Sequence, residues 1–169
     1  MKRMIAVAGL ITALWLSLSP TLSAQASATI QTVAVVTTHA IGTFDVKVTP
    51  VATDTAGEGS PLGRFSLEKQ WHGDVEGTSH GEMLTAGSSV KNSAGYVAVE
   101  RFTGTVNGRR GTFALQHTGT MTRGVGQLTI TIVPDSGTGE LAGISGSLGI
   151  TIADGKHSYD LEYSIAGAP

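Results

Sequence analysis

The sequence predicts an all-β protein, a single closed antiparallel barrel of about eight strands. Apolar and polar residues alternate with period two in eight short runs, and the 23 glycines of the 169-residue chain separate these runs without a repeat of their own. Two connections, Asn107-Gly108 and Asp154-Gly155, are typical of two-residue hairpin turns. Because a single sheet of eight short strands leaves two open edges unless it closes, a barrel is favoured over an open sheet.

The predicted strands follow one another along the chain with no convincing helix between them. They cover 40–51, 64–74, 78–85, 95–106, 110–121, 126–133, 146–153 and 156–165. The stretches 52–63 and 134–143 are rich in Gly, Ser, Thr and Pro, so we expect exposed loops there. An eight-stranded barrel has room inside for side chains or for one small ligand.

The Asn107-Gly108 turn fixes the register of the first hairpin. With a two-residue loop, the facing pairs are Phe102 with Phe113, Glu100 with Leu115, Ala98 with His117, and Tyr96 with Gly119. All lie on one face, because side chains alternate between the faces of a strand. That face is apolar and aromatic except for Glu100 and His117, which are diagonal neighbours at about 7–8 Å by cross-strand geometry.

The Asp154-Gly155 turn orders the second hairpin in the same way. It places Ile152 opposite His157, Ile150 opposite Tyr159, and Leu148 opposite Leu161. The other face of the last strand carries Ser158, Asp160, Glu162 and Ser164. The pattern therefore distinguishes an apolar inside from a polar outside.

Glu100 and His117 are the candidate catalytic or binding residues. The candidate ligand-binding set is Tyr96, Glu100, Phe102, Phe113, His117, His157 and Tyr159. In a functional interpretation, burial raises the pKa of the carboxyl group and a charged histidine lowers it, which leaves a shared proton near neutral pH. In a structural interpretation, the two side chains form a buried pair that satisfies itself and fixes strand register. The structural interpretation is somewhat favoured, because buried polar groups need partners whether or not chemistry occurs.

Other motifs give weaker signals. The run 77–81 fits G-x-S-x-G, but a nucleophile elbow needs a following helix and the next residues predict a strand. The run 137–142 fits a loose dinucleotide fingerprint, again without the helix that would bind the phosphates. His72, His80 and Glu82 match no zinc spacing, so we expect no metal and no cofactor. Trp71 is expected in the core, and Lys69 on the same face is expected at the barrel rim or in a ligand cavity.

The first 26 residues have the order of a secretory signal peptide. Lys2 and Arg3 precede an apolar run over 4–18, and small residues follow over 22–28, with cleavage expected after Ala24, Ala26 or Ala28. We expect a signal peptide at 1–26, an N-terminal extension at 27–39, a barrel domain at 40–169, and a periplasmic or secreted location. The chain has no cysteine, which excludes a lipoprotein anchor and disulfides.

The net charge and the apolar residues on the outer face indicate which kinds of partner the protein binds. The formal net charge is −2, so we expect no binding to nucleic acid and no membrane anchor once the signal peptide is removed. Val97, Val99 and Ala114 lie on the outer face of the first hairpin. Apolar residues on an outer barrel face favour packing against another subunit, so we expect a homo-oligomer.

Five segments, at 69–84, 95–101, 111–119, 133–146 and 155–159, together resemble one bacterial family of unknown function. The resemblance extends from Phe44 to Tyr163. It implies a β-barrel similar to that of allene oxide cyclase, a plant isomerase that acts on a fatty-acid epoxide, and it does not imply that activity. No established catalytic residues come with the family.

The sequence leaves three functions open. The leading one is an exported barrel that binds a small, largely apolar ligand in its lumen, with Glu100 and His117 orienting the polar end of the ligand. The second is an isomerase or cyclase that uses the same pair as acid and base. The third is a solid structural or interaction barrel with no ligand.

Overall fold

The computed structural model describes residues 36–54 and 61–166. The predicted signal peptide, its cleavage sites and most of the 27–39 extension lie outside these residues. No described helix has the length and apolar character needed to cross a membrane.

The described residues form eight strands in one closed antiparallel barrel, which confirms the predicted fold class. The strands are β1 (Thr38–Asp54), β2 (Leu62–Gly73), β3 (Val75–Ala86), β4 (Ala94–Val106), β5 (Arg109–Thr122), β6 (Val125–Ile132), β7 (Ile144–Ala153) and β8 (Lys156–Ile165). Each strand pairs with the next along the chain, and β8 pairs with β1. The predicted loop at 52–63 is too long, because β1 runs on to Asp54 and β2 already begins at Leu62.

Both two-residue turns have the backbone conformation that the sequence predicts. Asn107 and Gly108 have φ values of 47° and 80°, and Asp154 and Gly155 have φ values of 50° and 74°. Positive φ at both central residues is the signature of a type I′ turn. Every predicted facing pair in the two hairpins is confirmed, including Phe102 with Phe113 and Ile150 with Tyr159.

The connection between β6 and β7 differs from the predicted loop, because it contains a short 3-10 helix, Gly139–Leu141. Leu141 is fully buried, and the carboxylate of Glu140 accepts a hydrogen bond from the backbone N–H of Arg110 at 2.9 Å. The helix thus closes one end of the barrel, here called the closed end. The turns Arg123-Gly124 and Asp154-Gly155 lie at the opposite end, called the open end.

The closed half of the barrel is filled by aromatic side chains. Trp71 packs against Tyr159 with ring centroids 5.1 Å apart, and Phe102 packs against Phe113 at 4.9 Å. All four are almost completely buried. Close packing of this kind leaves little room for a ligand in the closed half.

The open half carries apolar side chains that point inward yet remain exposed. Val48 pairs with the buried Leu67, and Leu128 pairs with Gly119, so both lie on the inner face. Their exposed fractions are 46% and 45%. Their partial exposure shows that no described element caps the barrel at this end.

Candidate functional site

Four adjacent strands place polar side chains at the boundary between the packed half and the open half. Lys69 on β2, Ser79 on β3, Glu100 on β4 and His117 on β5 all point inward. Each is buried, with exposed fractions between 0% and 7%. We call these four side chains the polar network.

The carboxylate of Glu100 is the centre of the polar network. The ammonium group of Lys69 donates a hydrogen bond to Oε1 at 2.6 Å, and Nε2 of His117 lies 3.1 Å from the same atom. The hydroxyl of Ser79 donates to Oε2 at 3.0 Å and accepts a bond from Nε1 of Trp71, also at 3.0 Å. The diagonal neighbours Glu100 and His117 are therefore in direct contact, as a buried polar pair must be.

The ammonium group of Lys69 also lies over two aromatic rings. Its Nζ atom is 4.8 Å from the ring centre of Phe44 and 5.2 Å from that of Trp71. Aromatic faces attract a cation, and this attraction is strongest where water is excluded. Lys69 is therefore held inside the barrel and does not extend to the rim, which answers the question that the sequence left open.

The pKa of Glu100 shows which protonation state the polar network stabilises. Burial raises it, but the hydrogen bond from His117, the charge and hydrogen bond of Lys69, and the charge of His117 outweigh burial and lower the pKa from 4.5 to about 2. The carboxylate is therefore ionised near neutral pH. The low pKa does not favour the shared proton of the functional interpretation, because the cation of Lys69 stabilises the ionised carboxylate.

An ionised carboxylate fixes the tautomer of His117. Because the carboxylate only accepts hydrogen bonds, Nε2 of His117 must carry the proton and donate it. Among the described residues, every buried side-chain nitrogen or oxygen atom has a hydrogen-bond partner, and Nδ1 of His117 bonds to none of these residues. Nδ1 is therefore not fully enclosed, although the side chain as a whole is only 4% exposed, and in the neutral ring this atom accepts a hydrogen bond.

Small residues surround His117 on the side of the open end. Ala98 faces His117 directly, and Gly119 follows His117 on the same inner face. The ring of Tyr96 occupies the space that a side chain at position 119 would fill. Burial raises the pKa of Tyr96, and the charge of Glu100 raises it further, so the phenol stays protonated. We call the part of the lumen beside the inner-face positions Val48, Ala98, Gly119 and Leu128 the open-end chamber.

Comparison with known proteins assigns a family to this barrel. The model of a family described as "Protein of unknown function (DUF3224)" matches residues 40–163. The chain belongs to the DUF3224 family. The crystal structure of a DUF3224 protein of unknown function from Shewanella oneidensis MR-1 is 44% identical, with a TM-score of 0.73, and the match covers 79% of this chain and 99% of that one. No curated protein matches.

Three predicted ligand-binding residues of this DUF3224 barrel lie in the packed half. Phe102 and Phe113 cover each other, and the hydroxyl of Tyr159 accepts a hydrogen bond from the backbone N–H of Val75 at 2.9 Å. These contacts give all three a structural role. Their contact with a ligand stays a prediction.

The remaining predicted ligand-binding residues lie outside the packed half. Tyr96 is half-buried in the open half. His157 is partly buried, with its ring centre 5.0 Å from that of Phe44. Both stay predictions as ligand contacts.

The sequence patterns did not predict Ser79 as part of the polar network. It lies inside the G-x-S-x-G run, but that run is part of strand β3 and continues without a turn or a helix, so it forms no nucleophile elbow. His80 and Glu82, next to it, point outward, and Glu82 pairs with Arg64 at 2.7 Å. Within 36–54 and 61–166, no three His, Cys, Asp or Glu side chains come together as a metal site would require. No sequence signal placed Ser79 beside Glu100, because the register of β3 against β4, which makes the two diagonal neighbours, is fixed by no turn motif.

We predict that Glu100→Gln lowers the free energy of unfolding by roughly 3 kcal/mol, because it leaves the buried ammonium group of Lys69 without a counter-charge. Urea denaturation measures the change. Glu68→Gln, on the outer face of β2, is the matched control and should change stability by less than about 0.5 kcal/mol. The double variant Lys69→Met with Glu100→Gln should recover part of the loss. Equal stability of Glu100→Gln and the wild type would contradict the central position of this carboxylate.

The pKa of Glu100 also predicts the response to acid. Its value of about 2 lies below the ordinary 4.5, so its stabilising effect is complete above about pH 4.5 and is lost as the pH falls through 2. At about 1.4 kcal/mol per pKa unit, this amounts to roughly 3 kcal/mol. Urea denaturation between about pH 5 and pH 2 should show a shallower loss of stability in Glu100→Gln than in the wild type. Parallel curves would contradict the assignment.

Proposed function

We propose that the barrel binds a small, largely apolar ligand in the open-end chamber. The observation that supports this most directly is the set of inward-pointing apolar side chains that remain about half exposed, Val48 and Leu128 among them. Ligand sites are typically apolar cavities with a few polar groups that fix orientation. Nδ1 of His117 is the polar group that meets the ligand, and Glu100 positions it.

The ligand in this proposal carries a hydrogen-bond donor at its polar end. Nδ1 of His117 is the acceptor that the polar network offers to the ligand, because Lys69 already donates to Glu100 and its ammonium group lies over aromatic rings. The positive charge of Lys69 and the negative charge of Glu100, 2.6 Å apart, cancel at longer range. An alcohol or an amide N–H on an apolar body meets this description.

The proposal also includes the cellular location and the oligomeric state of the protein. The charged, apolar and small-residue order of 1–26 supports export to the periplasm or the outside of the cell. On the outer barrel face, Leu84, Val97 and Val99 are each about half exposed, and the neighbouring Arg64 and Glu82 neutralise each other. A neutral apolar face of this kind suits a second copy of the chain.

An isomerase or cyclase is the second candidate function. It rests on the contact between an ionised carboxylate and Nε2 of His117, which leaves Nδ1 as a base. In this version the proton moves to and from His117, and Glu100 only positions the ring. The pKa of about 2 makes Glu100 unsuited to donate a proton near neutral pH.

We predict that the neutral dye N-phenyl-1-naphthylamine binds in the open-end chamber and that Val48→Trp weakens binding at least tenfold by filling it. Fluorescence titration measures the dissociation constant. Lys47→Trp is the matched control, because residue 47 is exposed on the outer face of the same strand and should leave affinity unchanged. Equal effects of the two substitutions would contradict the proposed location, and absence of dye binding by the wild type would favour a solid barrel.

We also predict that native mass spectrometry of the protein, purified from its own exported compartment, gives the mass of an oligomer with one small molecule per chain. Mild denaturation should release that molecule. An empty monomer would contradict both the ligand and the second copy. Incubating the released molecule with wild type and with His117→Ala separates binding from isomerisation, since only an isomerase changes its chromatographic retention at constant mass and loses this effect with His117.

A further inference from the structure

The barrel has one weak seam, between β6 and β7. These strands share a single paired position, Thr131 with Ser147, whereas each of the other neighbouring pairs has a ladder of at least seven paired positions, interrupted only by a register shift at Pro50 and Ala52 on β1. Beyond this position, toward the open end, β6 and β7 continue without a ladder between them. Local opening costs least where the fewest backbone hydrogen bonds must break.

The side chains along this seam suit an apolar molecule. Neither β6 nor β7 contains a charged residue. Leu128 on β6 and Ile152 on β7 point inward, as do the buried residues Ile130 and Leu148 on the same faces, yet Leu128 is 45% and Ile152 is 65% exposed. Exposed sheet edges are normally protected by charges, proline or bulges, and this seam has neither charge nor proline.

The seam also lies close to the candidate binding atom. His117 on β5 pairs directly with Ile130 on β6, the strand that borders the seam. Neighbouring strands are about 4.8 Å apart, so a molecule that passes between β6 and β7 reaches the imidazole after crossing one strand. From the opposite side of the barrel, the path to His117 crosses the Lys69 and Glu100 pair.

We propose that the seam between β6 and β7 is the side opening and apolar subsite of the open-end chamber, and that it admits a slender, uncharged apolar ligand. This inference rests on the proposed function. The apolar part of the ligand lies between Leu128 and Ile152, and its polar end reaches His117. Strands β6 and β7 separate transiently to let the ligand pass, while the longer ladders elsewhere hold the barrel together.

The absence of cysteine from the chain makes a clean test. Thr131 and Ser147 point to the outer face, and two residues further toward the open end position 129 lies opposite position 149 on that same face. Thr129→Cys with Gly149→Cys therefore closes the seam when the two thiols are joined. A disulfide needs Cα atoms about 4.4–6.8 Å apart, and a short bismaleimide bridges a wider gap. Lys47→Cys with Glu68→Cys, an outward pair within the regular part of the ladder between β1 and β2, is the matched control.

Stopped-flow fluorescence with N-phenyl-1-naphthylamine gives the rates of association and dissociation. We expect the cross-linked seam variant to slow both rates at least tenfold, the control cross-link to leave them unchanged, and reduction of the seam disulfide to restore them. Unchanged rates in the cross-linked seam variant would overturn this inference and leave the chamber intact. Failure of the uncross-linked protein to bind the dye would instead overturn the proposed function.

A second pair of variants tests the subsite without a cross-link. Ile152→Lys places a charge in the seam at a side chain that is already 65% exposed, so the barrel should still fold. We expect it to raise the dissociation constant of the dye at least fivefold, whereas Thr151→Lys on the outer face of β7 should not change it. Equal affinities in the two variants would contradict the apolar subsite.

Discussion

The buried carboxylate of Glu100 is the constraint on which the inside of this barrel depends. An unpaired charge in a protein interior is costly, so the fold must bring donors to it from neighbouring strands. Lys69, Ser79 and His117 supply them from β2, β3 and β5, and the pairs at 2.6, 3.0 and 3.1 Å leave no buried polar side-chain atom of the described residues unsatisfied. A slip of one residue in any of these strands would turn its donor to the outer face. The polar network therefore stabilises one register across half of the barrel.

The polar network also divides the lumen. On one side, aromatic rings and Leu141 fill the closed half. On the other, Ala98 faces His117, the ring of Tyr96 packs over Gly119, and the apolar side chains of the open half remain partly exposed. The carboxylate of Glu100 lies at this boundary, where Lys69 and Ser79 hold it in place. It binds Nε2 of His117 and leaves Nδ1 on the other side of the ring without a protein partner among the described residues. This arrangement suits binding or proton transfer at His117, and it gives Glu100 the role of a positioning residue.

The barrel is not uniform around its circumference. Seven of the eight strand junctions are ladders and the junction of β6 with β7 is a single pair, next to the strand that carries His117. The connection between these strands, with its 3-10 helix, is anchored to β5 by Glu140 and Thr138, so the closed end of the seam is held while the open end is not. The family and the related crystal structure carry the description "unknown function", so the proposals rest on the geometry of this chain.

The sequence by itself determined the eight strands, both type I′ turns and the facing pairs of both hairpins, because these depend on local alternation and on dipeptides that adopt positive φ. It also determined that Glu100 and His117 share a face. Only the tertiary structure decided that Lys69 and Ser79 meet Glu100, since they lie 31 and 21 residues away and strands β2 and β3 had no turn signal to fix their register. The closure of the eight strands into a barrel also decided the ionised state of Glu100 and the position of the weak seam. Both depend on which strands become neighbours.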